Sequence, residues 1–390
     1  MIYEEALAWL YSTQQFGIKL GLGNIRSLLA ALGNPEQRLR FLHVAGTNGK
    51  GSVCAMLDSI LRASGRRVGL YTSPHLVDFR ERIRIDGEKS APHAVAEDLT
   101  SIRKISAGWS HSPTFFEIAT ALALHRFAQE RCDVVVLETG MGGALDATNA
   151  VRPLVSVMTP IALDHIRWLG DTLAEIAGEK AGIIKSGVPV ISARQAPEVA
   201  AVLTQRAASA GSSLEFIEAP LEQADIALAG IHQKENAAVA VAALRAARIE
   251  TSDEFVRRGL RDVRWPGRFQ IVGERIVLDG CHNPHAAERL LATWREVYGM
   301  EKATVIFGAL GDKDYAGMLK ILEPICREVL LVPVRSERSA DPRVLAAACM
   351  VPHRILQSVK EALDASRGKI LITGSLFLVG EALQALDAGL

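Results

Sequence analysis

The chain has 390 residues, 49% hydrophobic and 23% charged, which excludes a disordered chain and provides apolar material for two cores. Lysine plus arginine number 44, aspartate plus glutamate 44, and the formal net charge is +0. That balance argues against nucleic acid or a membrane surface as a partner.

The five cysteines, Cys54, Cys132, Cys281, Cys326 and Cys349, are odd in number and no pair has metal-ligand spacing. Reduced, buried thiols are the expectation. The opening MIYEEALAWL carries acids where a signal peptide carries bases, and no apolar run approaches membrane-spanning length. A cytoplasmic protein is expected.

Short β-branched runs alternate with helical patterns along the chain. Strands are predicted at Phe41–Ala45, Val68–Tyr71, Val134–Glu138, Val155–Thr159 and Val188–Ser192, and a helix over Thr114–Glu130. Continuous apolar strands separated by helices imply a parallel sheet covered on both faces. The segment VRWPGRF, Val263–Phe269, interrupts the series with a Trp-Pro-Gly turn. A second series follows, with strands at Ile276–Asp279, Thr304–Gly308, Val329–Pro333 and Lys369–Thr373. The fold class is α/β, with a domain boundary near Pro266: residues 1–266, then 267–390.

The strongest local signal is FLHVAGTNGKGSV, Phe41–Val53. An apolar strand enters a loop holding Gly46, Thr47, Asn48 and Gly49, then Lys50, Gly51 and a helix from about Ser52. Backbone N–H groups in such a loop, with the helix N-terminus behind them, suit phosphate oxygens. Lys50 is placed to reach the β- and γ-phosphates. The spacing G-x-x-x-x-G-K-[ST] is not met, because Val44 stands at its first glycine and Gly51 separates Lys50 from Ser52. The loop is therefore a variant, and a plain strand-to-helix turn is its structural alternative.

Glu138 ends a strand, where open α/β sheets bind ligands, and suits a Mg²⁺ bridging to a triphosphate; a solvated strand-end acid is the alternative. Ser73, in Thr72-Ser73-Pro74-His75, is either a Mg²⁺ ligand or a capping serine. Asp164 and His165 follow a third strand, and Glu179-Lys180 lies on the next helix. In the second series LDGCHNPHA, Leu278–Ala286, puts Asp279 and His282 at a strand end, and Arg268 sits just past the Pro-Gly turn.

These segments, in order, resemble the folylpolyglutamate synthase/dihydrofolate synthase family of the Mur ligase superfamily. The likeness runs through HVAGTNGKGSV (43–53), YTSPHL (71–76), ERIRIDGE (81–88), TFFEIATALAL (114–124), LETGMGGALDATN (137–149), TPIALDHIRWLG (159–170), EKAGIIK (179–185), HQKENAAVA (232–240), WPGRFQ (265–270), LDGCHNPHA (278–286) and GALGDKDY (308–315). It implies an N-terminal P-loop-type, mostly parallel sheet domain that binds ATP, and a smaller C-terminal Rossmann-like domain. By that resemblance Gly49, Lys50 and Ser52 belong to the ATP phosphate loop, and Asn236 lies on the adenine side. Arg268, Asp279 and His282 grip the nucleotide from the C-terminal domain. Ser73 and Glu138 hold one Mg²⁺, while His165, with Glu138 bridging, holds a second. Lys180 matches a lysine that becomes carbamylated. Two departures stand out: Ala144 where many members have Arg, and Cys281 where Ala is usual.

The implied reaction joins L-glutamate to a folate-type carboxylate, on tetrahydrofolate polyglutamates, dihydropteroate or both. The carboxylate attacks the γ-phosphate of ATP, and the glutamate amine displaces phosphate from the acyl phosphate. Lys50, His165 and Lys180 are the expected catalytic residues, and a monomer is expected. Competing readings are a monofunctional enzyme of either kind, another Mur-type ligase, and an ATP-hydrolysing switch. A switch needs Lys50 but neither His165 nor Lys180.

Overall fold

The computed structural model describes residues 1–16, 21–222 and 224–387. The chain divides into two compact units. The first comprises residues 1–161, 166–225 and 235–263; the second comprises 162–165, 226–234 and 264–390. Two short segments of the earlier chain, one carrying Asp164 and His165, thus cluster with the second unit.

The first unit is built on an eight-stranded sheet. Its strands are β1 (Phe41–Ala45), β2 (Val68–Tyr71), β3 (Ile83–Ile85), β4 (Glu88–Lys89), β5 (Val134–Glu138), β6 (Val155–Met158), β7 (Val190–Ala193) and β8 (Leu214–Ile217). Their order is β4-β3-β2-β5-β1-β6-β7-β8. Six strands run parallel; β3 pairs antiparallel with β2, and β4 with β3. Every residue of β1, β2, β5 and β6 is buried, which is why each reads as a mostly apolar run, broken only by His43, Glu138 and Ser156. One apolar cluster gathers Phe41, Tyr71, Leu122 and Phe127; another gathers Met158, Ile176, Ile183 and Leu203. Strand β7 begins two residues later than expected, just after Pro189, which has no N–H for a ladder.

The helix expected over Thr114–Glu130 spans Phe115–Gln129, and both flanking residues are its caps. The Thr114 hydroxyl accepts from the Glu117 N–H, and the Glu117 carboxylate accepts from the Thr114 N–H at 2.7 Å, a reciprocal capping box.

The second unit holds a six-stranded sheet: β9 (Gln270–Val272), β10 (Ile276–Leu278), β11 (Ala303–Phe307), β12 (Cys326–Leu331), β13 (His353–Ile355) and β14 (Ile370–Thr373). Its order is β13-β12-β11-β14-β10-β9, parallel except for the β9–β10 hairpin. Trp294, Phe307, Leu331 and Leu371 centre its core. Phe269, from the Trp-Pro-Gly-Arg-Phe turn, packs edge-on against Trp294 at 6.3 Å. The expected α/β class holds in both units. Among the described residues no helix is long and apolar enough to cross a membrane.

Candidate active site

Four neighbouring strands of the first sheet, β2, β5, β1 and β6, deliver the candidate residues at their C-terminal ends. That edge is where open α/β sheets bind ligands. The phosphate loop leaves β1 at Ala45, and its helix spans Lys50–Ala63, two residues earlier than the sequence indicated. Gly46 has φ 146°, and a Cβ there would lie 1.9 Å from Thr159 Oγ1, so no side chain fits. Gly49 has φ 88°, and a Cβ there would lie 2.7 Å from Asn236 Oδ1, so its absence leaves room for that amide. Asn236 is thereby brought beside the loop. Gly51 lies in the first helical turn.

The N–H groups of Thr47 and Asn48 both donate to Pro160 O, at 3.0 and 3.2 Å. These two donors hold the loop to the β6 connection. The helix start has Gly49 at its cap position and no capping side chain, so an anion can take the place of a cap there. Ser52 is buried in that turn. Lys50 Nζ folds back over the loop, donating to Gly46 O and Thr47 O at 3.1 Å each.

Glu138 is 4% exposed at the end of β5, and its Oε2 accepts the Ser73 N–H at 3.0 Å. The peptide bond Ser73–Pro74 is cis. Lys180 is also 4% exposed and ends the helix Leu173–Lys180. Its Nζ donates to Gly46 O at 2.9 Å, so phosphate loop and buried amine share one carbonyl. The loop after β5 is tied down by Asp146, which went unnoticed in the sequence. Its carboxylate accepts the N–H groups of Gly140, Met141 and Thr148 at 2.9–3.0 Å. Burial nonetheless pushes this carboxyl above the usual range. A Cβ on Gly182 would meet Ala144 at 2.3 Å, so the backbone at Ala144 is closely packed.

In the second unit three motifs separated in sequence converge on Asp164. Its carboxylate accepts from Lys313 Nζ at 2.5 Å, Asn283 Nδ2 at 3.2 Å and the His165 N–H at 2.8 Å. His282 Nε2 stands 3.6 Å away. Burial opposes the charge on Asp164, but His282, His165 and Lys313 outweigh it and hold the carboxyl far below its ordinary value. Asp164 is thus the hub of an ionic network, a role its position beside His165 did not reveal. His165 itself takes a left-handed backbone, φ 52°.

Asp279 accepts the N–H groups of Phe269 and Cys281 at 2.8 and 2.9 Å, joining the Pro-Gly turn to the end of β10. Burial raises its pKa, with Arg268 pulling it down. Arg268 donates to Gly267 O at 3.1 Å, and His282 Nδ1 lies 2.8 Å from Gly280 O. Among the described residues no group of three or more His, Cys, Asp or Glu side chains is gathered for a metal.

Comparison with known proteins agrees with this geometry. Residues 44–196 match the Mur ligase middle domain, and residues 267–379 match the Mur ligase, glutamate ligase domain. The dihydrofolate synthase/folylpolyglutamate synthase of Bacillus subtilis is 35% identical over 98% of this chain and 99% of its own length. The folylpolyglutamate synthase of Lacticaseibacillus casei is 35% identical over the whole of both chains, 100% of each. Among solved structures, E. coli FolC in complex with DHPP and ADP superposes with a TM-score of 0.90 at 35% identity, covering 98% of each chain. Mycobacterium tuberculosis folylpolyglutamate synthase complexed with ADP gives 0.91 at 31% identity, also over 98% of each. The chain belongs to the dihydrofolate synthase/folylpolyglutamate synthase family, within the Mur ligases.

Proposed function

We propose that this chain is an ATP-dependent ligase forming an amide between L-glutamate and the carboxylate of a folate-type acceptor. One observation carries the reading: an uncapped helix N-terminus behind Gly46 and Gly49, with Lys50 over it and Glu138 on the adjacent strand. The ADP and DHPP held by the E. coli relative support the nucleotide and the acceptor class. We take residues 1–266 as the ATP-binding domain and 267–390 as the C-terminal domain, the chain acting as a cytoplasmic monomer. The substrates are ATP, L-glutamate and either dihydropteroate or a tetrahydrofolate.

The roles follow from chemistry. Gly46, Thr47, Asn48, Gly49, Gly51 and Ser52 shape the phosphate cradle, and Lys50 turns from the loop carbonyls to the transferring phosphate. Asn236, beside Gly49, is the residue we assign to the adenine side. On the second unit, Arg268, Asp279 and His282 gather at the end of β10 as groups suited to a nucleotide. Mg²⁺ fits here because a buried carboxylate beside a serine supplies hard oxygens, and this ion needs only one or two protein carboxylates plus phosphates. Ser73 and Glu138 would hold one ion, and a carbamylated Lys180, on the same unit, would offer oxygen ligands to a second. Bound metal supplies charge neutralisation between the acceptor carboxylate and the triphosphate. Carbamylation adds CO₂ to the Lys180 amine with loss of a proton, converting a buried cation into oxygen ligands.

The test is purified protein with ATP, Mg²⁺, glutamate and either dihydropteroate or tetrahydrofolate, with products weighed by mass spectrometry. Addition of one or more glutamyl units is expected. Phosphate release without a glutamylated product would overturn the reading.

A further inference from the structure

Arg82 stands at the end of the turn Phe79–Arg82, where the chain enters β3, and is only 8% exposed. Its Nε donates to His75 Nδ1 at 2.8 Å. Its guanidinium lies over the Phe115 ring, 5.2 Å from the centroid. A ring nitrogen that accepts from arginine carries no proton. His75 is therefore neutral with its proton on Nε2, 3.3 Å from Tyr11 Oη. Tyr11 stacks on Phe115 with centroids 5.6 Å apart, which closes a ring of contacts holding the guanidinium in one orientation.

No carboxylate among the described residues lies within ion-pair distance of Arg82. The acids nearest in sequence are already engaged. Glu81 accepts the N–H groups of Leu76, Val77 and Asp78 at 2.8, 3.2 and 2.9 Å. Asp78 pairs with Arg80 and Lys89. Arginine has five N–H donors, and among the described residues only Nε–H meets a protein acceptor. Burial lowers the Arg82 pKa against the more distant charges of Glu138 and Glu81, and a guanidinium stays charged at any physiological pH. A buried cation with its fork of Nη donors unmatched is costly unless an anion completes it.

Its place in the sheet identifies that anion. Arg82 O accepts the Thr72 N–H at 3.1 Å, next to Ser73, whose own N–H reaches Glu138. Strand β2 lies two places from β1, with β5 between them. Adjacent strands are about 5 Å apart, so the end of β2 lies about 10 Å from the phosphate loop, within reach of a group attacking the terminal phosphate.

We infer that Arg82 is the binding site for the acceptor's reacting carboxylate, its Nη groups forming a bidentate pair while His75, Tyr11 and Phe115 fix the guanidinium. The inference rests on the ligase reading above. The aromatic edges of Tyr11 and Phe115, both half-buried, offer a wall for an aryl acid such as dihydropteroate.

The test uses the full chain, unaltered and as Arg82→Met and Arg82→Lys, with dihydropteroate and its carboxamide. The unaltered protein should bind the acid about 10-fold or more tighter than the uncharged amide. In Arg82→Met the KM for dihydropteroate should rise about 10–100-fold and the preference for the acid should vanish, with the KM values for ATP and glutamate unchanged. Arg82→Lys should fall between. A merely structural arginine would not move the acid-to-amide ratio, so a retained ratio in Arg82→Met overturns the inference, as does a rise confined to the KM for glutamate. Should the methionine variant not fold, equal binding of acid and amide by the unaltered protein overturns it. Failure of the ligase reading is separate: the unaltered protein would then form no glutamylated product at all.

Discussion

Lys50 and Lys180 point their amines at the same carbonyl, Gly46 O, from two sides. Lys50 is a half-buried side chain on an otherwise uncapped helix start, and its present bonds are to loop carbonyls that water can also satisfy. Lys50→Ala should therefore leave the melting temperature within a few degrees while lowering turnover about 100-fold or more, the cost typical of losing one preorganised charge. Near-normal turnover would remove the phosphate-loop assignment. Lys180 is different, because its amine is buried beside the loop. If it acts as a carbamate, Lys180→Ala should be inactive, and added formate or acetate should restore part of the rate by supplying a carboxylate oxygen. Full activity in the alanine variant would refute this. Both lysines were legible in the sequence, since each sits in a short contiguous motif. Arg82 and Asp164 were not. Their meaning depends on His75, Phe115, Asn283 and Lys313, and the Asp164–Lys313 contact spans 149 residues. Nothing local in the sequence marks such partners.

At the scale of elements, the legible strands were the doubly buried ones. Strands β1, β2 and β5 were delimited to the residue because a parallel strand covered on both faces is mostly apolar, His43 and the terminal Glu138 being the exceptions. The strands that escaped notice, β3, β4, β8, β9 and β13, lie at or next to sheet edges. Strand β4 is the exposed pair Glu88–Lys89, and β13 is the exposed triplet His353–Ile355. Half-solvated edges need no hydrophobic run, and charge on them discourages pairing with other chains. The packing of the phosphate-loop helix was equally hidden. Gly259, in the helix Asp253–Asp262, meets that helix so closely that a Cβ would lie 2.5 Å from Ile60 Cα. Ser59 Oγ also donates to Gly259 O at 2.7 Å. Alanine in place of a helical glycine gains up to about 1 kcal/mol of propensity. Here the contact is with backbone, which cannot swing aside, and overpacking of that kind costs about 1–3 kcal/mol. The clash should win. Gly259→Ala should lower the melting temperature and, by displacing the helix that carries the phosphate loop, raise the KM for ATP. A stabilised variant with unchanged ATP dependence would show that the two helices slide apart freely.

For the molecule as a whole, buried histidines set the acid limit. His43, inside β1, is held down to about 3 by burial, with Lys185 adding to it. His232 is held down to about 4 by burial, then by Arg289, Arg268 and His285. His75 is likewise held down to about 4 by burial and by Arg82. An unfolded histidine titrates near 6.5. As pH falls below that value the unfolded chain takes up protons that these three sites refuse. Their contribution is complete above about pH 6.5 and is lost as pH falls toward 4 and 3. Each refused proton is worth about 1.4 kcal/mol per pH unit, so stability should fall by as much as about 4 kcal/mol per unit near pH 5. Asp78, held to about 2 mainly by Arg80 against its own burial, adds a loss only below its unfolded value near 4. Asp146 and Asp279, raised by burial, act in the opposite sense, so the histidine share is read from the difference between the unaltered chain and a histidine variant. Urea melts from pH 7 to 5 should show proton uptake on unfolding, to which His125, also lowered by burial, adds. His43→Gln, whose amide can still reach the Thr148 hydroxyl 2.9 Å from His43 Nε2, should remove the share due to that imidazole. An uptake unchanged in His43→Gln would mean that this imidazole is charged in the folded chain.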